Sequence, residues 1–323
     1  MFRSPWRSAA GKAPAPPAEA APARVSVVVP LYNHARYVAD AVRSALAQGP
    51  VLREVVAVDD GSTDGSAEAL LDACGGDPRL VLWSQPNRGA HAAINAGLLR
   101  ATGEVLAVLN SDDVYAPGRL DRLVEALDAD PGADLAATGL SFLDGDGSPA
   151  ANPWYEEVLA FHRASGDLGA ALVNGNFVMT TSNMAFRRGL LDRIGLFAPL
   201  RYAHDLDFLL RALARGRRFA LLLDEPLLSY RVHAANTIKE EHGAVRMEWA
   251  AASAAYLDAL AAAPGPVEWA GLRAVGAVLE RHKLLPAVQL CLAHLRRHPA
   301  GGSLEHAPML ADEAFRAALR ESV

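Results

Sequence analysis

The sequence lacks several features that would place it in common classes of protein. Its 323 residues include two cysteines, Cys74 and Cys291, which do not have the spacing of metal ligands. We therefore interpret both as buried apolar residues, and the absence of a disulfide framework fits a reducing compartment. The net charge of −6 provides no basic excess, which argues against nucleic acid as a bulk partner.

Long apolar runs are also missing. A membrane span needs ~18 uninterrupted apolar residues, whereas the nearest segment, 244–263, carries three charged residues. Residues 1–23 are rich in alanine and proline but lack the apolar core of a signal peptide, so we interpret them as a disordered tail. We expect a cytoplasmic protein, and Phe2 and Trp6 are compatible with peripheral contact at the inner face of a membrane.

Glycine is absent from the loop after the first predicted strand. A dinucleotide-binding fold needs a glycine-rich turn there, where its backbone approaches the pyrophosphate. This loop reads Pro30-Leu31-Tyr32-Asn33-His34-Ala35, and no Gly-x-x-x-x-Gly-Lys phosphate loop occurs elsewhere. A diphosphate bound here would need another source of positive charge, and a divalent cation held by carboxylates would supply it.

Two acidic pairs stand where apolar runs end. Asp59-Asp60 follows the run 54–58, and Asp112-Asp113 follows the run 105–109. Short runs of this kind are typical of strands buried on both faces of a parallel sheet. Because ligands bind at the carboxyl ends of strands in open α/β sheets, the four carboxylates predict a metal–nucleotide site.

Strands and helices alternate along the first half of the chain, which predicts a mostly parallel sheet flanked by helices. We expect one domain over residues 24–238 and a helical region over residues 239–323. The predicted strands are 25–30, 54–58, 80–83, 105–109, 135–143, 180–187, 219–223 and 227–231. The predicted helices are 36–48, a helix that follows Asp64 and ends at about Ala73, 90–100 and 205–215.

Several short motifs occur in the order and spacing of a known family. Together they resemble the family 2 glycosyltransferases over about residues 24–237, which implies a GT-A fold and a nucleotide-sugar donor. The motifs are Val27-Val28-Val29-Pro30-Leu31-Tyr32-Asn33, Val58-Asp59-Asp60-Gly61-Ser62-Thr63-Asp64-Gly65, Asn87-Arg88-Gly89, Leu109-Asn110-Ser111-Asp112-Asp113, Arg187-Arg188, Ile194-Gly195-Leu196-Phe197, His204-Asp205-Leu206-Asp207-Phe208-Leu209-Leu210-Arg211 and Tyr230-Arg231-Val232-His233.

The resemblance assigns the nucleotide to the first two loops. It implies that Tyr32 lies against the base, with Pro30 and Asn33 shaping that wall. Asp60 would accept a hydrogen bond from the base, and Arg88 would face the nucleotide. The structural alternatives are packing for Tyr32, a turn or helix cap for Asp60 and a solvated side chain for Arg88.

The resemblance also implies Mn²⁺ or Mg²⁺ as the cofactor. Asp112 would bind the cation, with His233 as a second ligand or as a hydrogen-bond partner of the diphosphate, and Arg231 would offset phosphate charge. The family usually has aspartate where this chain has Asn110, which leaves a contact to ribose or metal-bound water. We interpret Asp113 as a cap of the following helix, and the other histidines as ordinary residues.

A base is expected on the opposite side of the sugar. The resemblance places Asp205 there, where a carboxylate takes the proton of the acceptor hydroxyl. The alternative is a carboxylate that only stabilises a helix N-terminus. His204 replaces the acid that the family usually has before this aspartate, and its charge would affect the basicity of Asp205.

These features predict an inverting, metal-dependent glycosyltransferase of the hexosyltransferase type. The predicted donor is a UDP-sugar, and the acceptor is a glycan, a lipid-linked sugar or a protein in polysaccharide or cell-surface glycan synthesis. We expect the C-terminal helices to shape the acceptor side or a contact in a homo-oligomer. One alternative is a catalytically silent nucleotide-sugar binding module. The other is a sugar-1-phosphate nucleotidyltransferase, but that class needs a glycine-rich loop after its first strand, which this sequence lacks.

Overall fold

The computed structural model describes residues 23–233, 236, 241–264, 269–298 and 306–323. The predicted disordered tail, residues 1–23, lies outside the described residues except for Ala23. The expected membrane contact of Phe2 and Trp6 lies outside them as well.

One sheet contains nine strands of the described part of the chain. In chain order these strands are β1 (Val25–Leu31), β2 (Leu52–Asp59), β3 (Leu80–Ser84), β4 (Val105–Val108), β5 (Val114–Tyr115), β6 (Ala133–Asp144), β7 (Pro149–Ala150), β8 (Ala185–Arg187) and β9 (Arg218–Val232). Their spatial order is β3-β2-β1-β4-β8-β6-β9-β5, and β7 pairs with β6.

The described residues also form thirteen α-helices. They are α1 (Val38–Leu46), α2 (Ser66–Cys74), α3 (Ala90–Arg100), α4 (Arg119–Ala129), α5 (Pro153–Ser165), α6 (Leu168–Asn174), α7 (Leu190–Ile194), α8 (His204–Ala214), α9 (His242–Ala262), α10 (Trp269–Arg281), α11 (Leu285–Arg297), α12 (His306–Ala311) and α13 (Glu313–Arg320). Among these helices, none has both the length and the apolar character that crossing a bilayer requires.

The first half of the sheet is parallel, as the alternation of strands and helices predicts. β1 pairs in parallel with β2 on one side and β4 on the other, and β3 extends the set beyond β2. Val28 of β1 lies opposite Val56 and Val108. All residues of β1 are buried, as valine-rich strands are when helices cover both faces of a sheet.

The second half of the sheet is mixed and corrects two sequence expectations. β8 lies antiparallel between β4 and β6, and the predicted strand 180–187 is too long because residues 181–183 form a 3₁₀-helix. The strands predicted at 219–223 and 227–231 form one strand, β9, with a shift of register opposite Gly139. A side chain at Gly139 would overlap the carbonyl oxygen of Leu223, so glycine accommodates the irregularity.

The parallel strands β1, β2 and β4 end at the same edge of the sheet, which we call the carboxyl edge. Residues 32–37, 60–65 and 109–113 leave the strands there. The acidic pairs therefore lie in neighbouring loops, as the ends of the apolar runs predict.

The helices after residue 241 pack on the rest of the chain. α9 contacts both α8 and α11, and its buried residues include Ala250, Ala251 and Ala254. The indole Nε1 of Trp249 donates a hydrogen bond of 2.9 Å to the carbonyl oxygen of Val173 in α6. The division of the chain between residues 238 and 239 stays a prediction.

We predict that Gly97→Ala lowers the free energy of unfolding by about 1–2 kcal/mol. Gly97 lies in α3 against β1, and a Cβ there would overlap Cγ1 of Val28. Overpacking of this kind typically costs about 1–3 kcal/mol, partly offset by the higher helix propensity of alanine. Urea unfolding followed by circular dichroism measures the change.

Gly276→Ala is the matched control, because Gly276 also lies inside a helix. A Cβ added to it would meet no heavy atom of the described residues within 4 Å, apart from its chain neighbours and the nearby backbone of its own helix. It should stabilise the protein by up to about 1 kcal/mol. Equal effects of the two substitutions would show that α3 and β1 are not packed as described.

Candidate functional site

The loops after β1 and β2 are joined by hydrogen bonds. The backbone N–H of Asn33 donates to Ser62 Oγ at 3.0 Å, and its side-chain Oδ1 accepts from the N–H of Thr63 at 2.9 Å. The N–H of His34 donates to Ser66 Oγ at 2.8 Å. Asn33 has a φ of 53°, a left-handed conformation that asparagine tolerates better than most residues. The loop that carries Tyr32 and His34 is therefore held in one shape.

Tyr32 and Pro30 occupy different environments. Tyr32 is 47% exposed, so a large part of its surface is accessible to a ligand. Pro30 is buried inside β1 opposite Val58, where it supports the end of the strand rather than lining a surface. The sequence assigned both residues to one wall, whereas the structure exposes only Tyr32.

Asp60 organises the loop before α3. It is 2% exposed, and its carboxylate accepts hydrogen bonds from Gln85 Nε2 at 2.8 Å, the N–H of Arg88 at 3.0 Å and the N–H of Gly89 at 2.8 Å. The side chain of Arg88 is exposed. The predicted contact of Asp60 with a base stays a prediction, and the observed bonds show that Asp60 also positions Arg88.

Asn110 is held by hydroxyl groups. Its Nδ2 donates to Thr180 Oγ1 at 2.9 Å, and its Oδ1 accepts from Thr181 Oγ1 at 3.0 Å. The N–H of Asn110 donates to Ser182 Oγ at 2.9 Å. A neutral amide satisfies these partners without adding a charge beside Asp112.

Asp113 is fully buried and does not cap a helix, contrary to the sequence interpretation. Its carboxylate accepts from Ser182 Oγ at 2.6 Å and from the N–H of Arg231 at 3.0 Å. Burial and the neighbouring charge of Asp112 raise the pKa of Asp113 well above its usual value. Asp113 therefore joins the end of β4 to the end of β9.

His34, Asp112 and His233 form a cluster at the carboxyl edge, which we call the histidine–aspartate cluster. Their candidate ligand atoms all lie within 4.8 Å of one another, and His233 Nε2 lies 2.9 Å from Asp112 Oδ2. Burial lowers the pKa of His34, so its imidazole is neutral and has a lone pair to offer. Sequence reasoning treated His34 as an ordinary histidine, whereas the structure places it beside the two predicted metal ligands.

Arg231 and Tyr37 border this cluster. Arg231 Nε donates to the carbonyl oxygen of Asp112 at 2.9 Å, and its guanidinium lies 4.9 Å from the ring centroid of Tyr37. The Tyr37 ring lies 5.1 Å from that of His233. Arg231 is buried and supports the backbone of Asp112, a role that sequence reasoning did not foresee.

Asp205 lies at the start of α8 and is partly buried. Its Oδ2 accepts from Asn176 Nδ2 at 2.9 Å, and its Oδ1 accepts from the N–H of Leu206 at 2.7 Å. Burial raises the pKa of Asp205 to about 7, with a smaller contribution from the charge of Glu248, while the hydrogen bonds oppose the shift. A carboxylate with this pKa is suited to accept a proton near neutral pH.

His204 does not place a positive charge beside Asp205. Burial lowers the pKa of His204, and its Nδ1 has no hydrogen-bond partner among the described residues. The imidazole is therefore neutral near pH 7. The replacement of the family's usual acid removes a negative charge here without adding a positive one.

Tyr230 is affected by the charges of carboxylates from the loop after β4 and from α8. Burial raises the pKa of Tyr230, and the charges of Asp113, Asp112 and Asp205 raise it further. All three carboxylates are thus close enough to the phenol to interact with it electrostatically. The charges of Asp112 and Asp205, which are 93 positions apart in the sequence, thus both act on the phenol of Tyr230.

Asp207 and Arg211, which belong to the same motif as Asp205, have a structural role. Arg211 Nε donates to Asp207 Oδ2 at 2.8 Å, and Nη2 donates to the carbonyl oxygen of Leu196 at 2.8 Å. Arg211 also donates to the carbonyl oxygen of Ile194. The buried pair therefore anchors α8 to the loop after α7.

Solved structures share the fold of this chain. S. aureus TarS, residues 1–349, has a TM-score of 0.60 at 18% identity, covering 83% of this chain and 80% of that one. The mannosyltransferase PcManGT from Pyrobaculum calidifontis, in complex with GDP-Man and Mn²⁺, has a TM-score of 0.57 at 23% identity, covering 95% and 88%. These likenesses confirm the GT-A fold with C-terminal helices.

Curated relatives are similar over most of the chain. An uncharacterized glycosyltransferase of Nostoc sp. is 33% identical over 66% of this chain and 66% of its own length. The succinoglycan biosynthesis proteins ExoU and ExoO of Rhizobium meliloti are 34% and 35% identical, over 63% and 65% of this chain. The match spans 60% of the length of each of these two, so it covers less than two thirds of them.

The family comparison agrees with the motifs. The model described as Glycosyl transferase family 2 matches residues 26–195, more than half of the chain. The matched segment contains the loops that carry Tyr32, Asp60 and Asp112. The chain belongs to glycosyl transferase family 2.

Proposed function

We propose that this chain is an inverting glycosyltransferase of the hexosyltransferase type, which transfers a sugar from a nucleotide sugar to an acceptor hydroxyl. The observation that carries the proposal is a hydrogen-bonded carboxylate, Asp205, at the start of α8, together with the histidine–aspartate cluster at the carboxyl edge. Asp205, whose raised pKa suits a base, and Asp112, of the histidine–aspartate cluster, interact with the same phenol. A single displacement requires a base and a diphosphate site on opposite sides of the donor sugar.

Asp205 supplies the proton acceptor in this reaction. Its carboxylate removes the proton of the acceptor hydroxyl as the oxygen forms a bond to the anomeric carbon of the donor sugar. The bond between that carbon and the diphosphate oxygen breaks, and the electron pair leaves with the nucleoside diphosphate. Attack opposite the leaving group inverts the configuration. Asn176 donates to Asp205 Oδ2 and so orients the carboxylate.

The donor binds at the carboxyl edge in this proposal. The exposed ring of Tyr32 lies against the base, Asn33 and Pro30 fix the loop that presents it, and Asp60 holds Arg88 near the nucleotide. Asn110 lies with Asp112, where its amide can meet the ribose. Arg231 contributes positive charge near the diphosphate while it supports the backbone of Asp112.

The histidine–aspartate cluster fits a divalent cation. Two imidazoles and one carboxylate suit Mn²⁺ better than Mg²⁺, which prefers oxygen ligands and an octahedral shell of water. Asp112, His233 and His34 would hold the ion. When bound, it would stabilise the negative charge of the departing diphosphate.

The nucleotide and the pathway follow from comparison rather than from the site. We propose a UDP-sugar donor and a role in polysaccharide synthesis, since ExoU and ExoO are named for succinoglycan biosynthesis. TarS has been crystallised with UDP-GlcNAc and PcManGT with GDP-Man, so both UDP- and GDP-sugars belong in a donor panel.

Asp205→Asn should reduce the rate of sugar transfer or donor hydrolysis by ~10²–10⁴-fold, because the amide cannot accept the proton. The affinity for the donor should change little, since Asp205 lies outside the loops after β1, β2 and β4 to which the donor is assigned. Release of nucleoside diphosphate from a panel of UDP- and GDP-sugars measures the rate, and calorimetry measures donor binding. Product NMR reports the anomeric configuration.

Asp192→Asn on the exposed surface of α7 is the control and should keep the wild-type rate. If the wild-type protein bound a donor without any turnover, the silent binding module would replace the enzyme proposal. A product with retained configuration would exclude the single displacement.

The rate should rise with pH through about 7, the raised pKa of Asp205. The base acts only when deprotonated, so protonation removes activity as the pH falls through this value. The turnover rate of the wild-type protein, measured between about pH 5 and about pH 9, should show this rise. Its persistence in Asp205→Asn would assign the titration to another group.

His34→Ala should weaken Mn²⁺ binding by at least about 10-fold, the effect typical of losing even an outer-shell contact. His233→Ala should weaken it similarly, and Asp112→Asn should weaken it further because the negative charge is lost. Electron paramagnetic resonance of free Mn²⁺ measures binding without any need for turnover. His298→Ala, on the exposed end of α11, should bind the ion like the wild type. Full Mn²⁺ affinity in His34→Ala would remove this residue from the ligand set.

A further inference from the structure

A carboxylate from the C-terminal helices contacts the start of α8. Glu248 of α9 accepts hydrogen bonds from three successive backbone N–H groups. Its Oε1 accepts from Arg201 at 2.9 Å, and its Oε2 accepts from Tyr202 at 2.7 Å and from Ala203 at 2.9 Å. Glu248 lies outside all of the sequence motifs quoted above.

These N–H groups belong to the turn that leads directly into the helix of Asp205. Ala203 is the N-cap residue of α8 and has no side-chain oxygen with which to cap it. Successive N–H groups that point the same way form a concavity for an anion, and the N-terminus of a helix favours negative charge. Glu248 therefore supplies from another helix the acceptor that the local sequence lacks.

α9 is itself held on both sides of Glu248. Arg246 Nη2 donates to the carbonyl oxygen of His282 at 3.0 Å, and Trp249 Nε1 donates to that of Val173 at 2.9 Å. Val173 lies in α6, and Asn176, which donates to Asp205, follows two residues after α6 ends. α9 thus contacts both segments that determine where the carboxylate of Asp205 lies.

We propose that Glu248 is a positioning residue for Asp205, which fixes the turn 201–203 and thereby the place and direction of the carboxylate at the start of α8. The inference rests on the proposed role of Asp205 as the base. Because Glu248 acts on the acceptor side, its loss should lower kcat and leave the KM of the donor unchanged. Misplacement of a catalytic group by about 1 Å can reduce a rate 10²-fold.

Glu248→Ala in the full-length protein removes all three acceptor contacts. We expect kcat to fall by about 10–100-fold with the donor KM within about twofold of wild type. Amide hydrogen exchange of peptides that cover residues 201–206 should accelerate, while peptides from β1, β2 and β4 should keep their protection. Glu248→Gln retains an amide oxygen as an acceptor. Its kcat and its exchange rate at residues 201–206 should therefore lie between those of the wild type and those of Glu248→Ala.

Asp258→Ala is the matched control. Asp258 lies on α9 ten residues beyond Glu248, about 15 Å along the helix axis, so its loss should affect neither kcat nor exchange at 201–206. Unchanged exchange at 201–206 in Glu248→Ala would overturn the inference. So would an unchanged kcat, or a fall in kcat accompanied by an equal loss of donor affinity, which would indicate general destabilisation.

The two proposals fail in different ways. A wild-type protein that binds donor but transfers no sugar contradicts the proposed function, and hydrogen exchange then decides whether Glu248 holds the turn of Asp205. A wild-type protein that transfers sugar, together with a Glu248→Ala variant that transfers it equally fast, contradicts only the role of Glu248.

Discussion

Two adjacent carboxylates at the end of β4 have to be accommodated in a small volume, and their surroundings show how. An ionised carboxylate without partners in a protein interior costs several kcal/mol. Asp113, the buried member, receives hydrogen bonds from Ser182 and from the backbone of Arg231, and its raised pKa reflects its burial and the charge of Asp112. Asp112 lies against His233. Meeting these requirements brings the end of β9 and the segment around residue 182 to the end of β4, and so assembles one side of the candidate site.

Local patterns in the sequence predicted the parallel half of the sheet because a strand buried on both faces leaves a simple apolar run. They failed where a distant residue decides the structure. The irregularity in β9 depends on Gly139 of another strand, and the segment 219–231 alone does not show that its two apolar runs are continuous. α4 was expected only as a helix somewhere after Asp113, without bounds, although Leu120, Leu123 and Leu127 repeat with a helical period.

The candidate site divides in the same way. Asp60, Asp112 and Asp205 were found from motifs, and His34 had a usable signal because it directly follows Asn33 in the loop after β1. Asn176 and Glu248 had none, since an asparagine in a loop and a glutamate on an alanine-rich helix are common, and only the tertiary fold places them beside α8.

The contacts of α8 have a consequence for how such chains can be recombined. The segment matched by the family model ends at residue 195, before α8, Tyr230 and α9. A chimaera that exchanged only residues 26–195 would import foreign loops after β1, β2 and β4 together with a foreign partner for Asp205 at position 176. It would keep the original α8 and the original Glu248. The two residues of each contact that joins the exchanged segment to the rest of the chain would then come from different parents. A workable exchange would have to carry the chain through α9, so that the carboxylate and all of its supports share one origin.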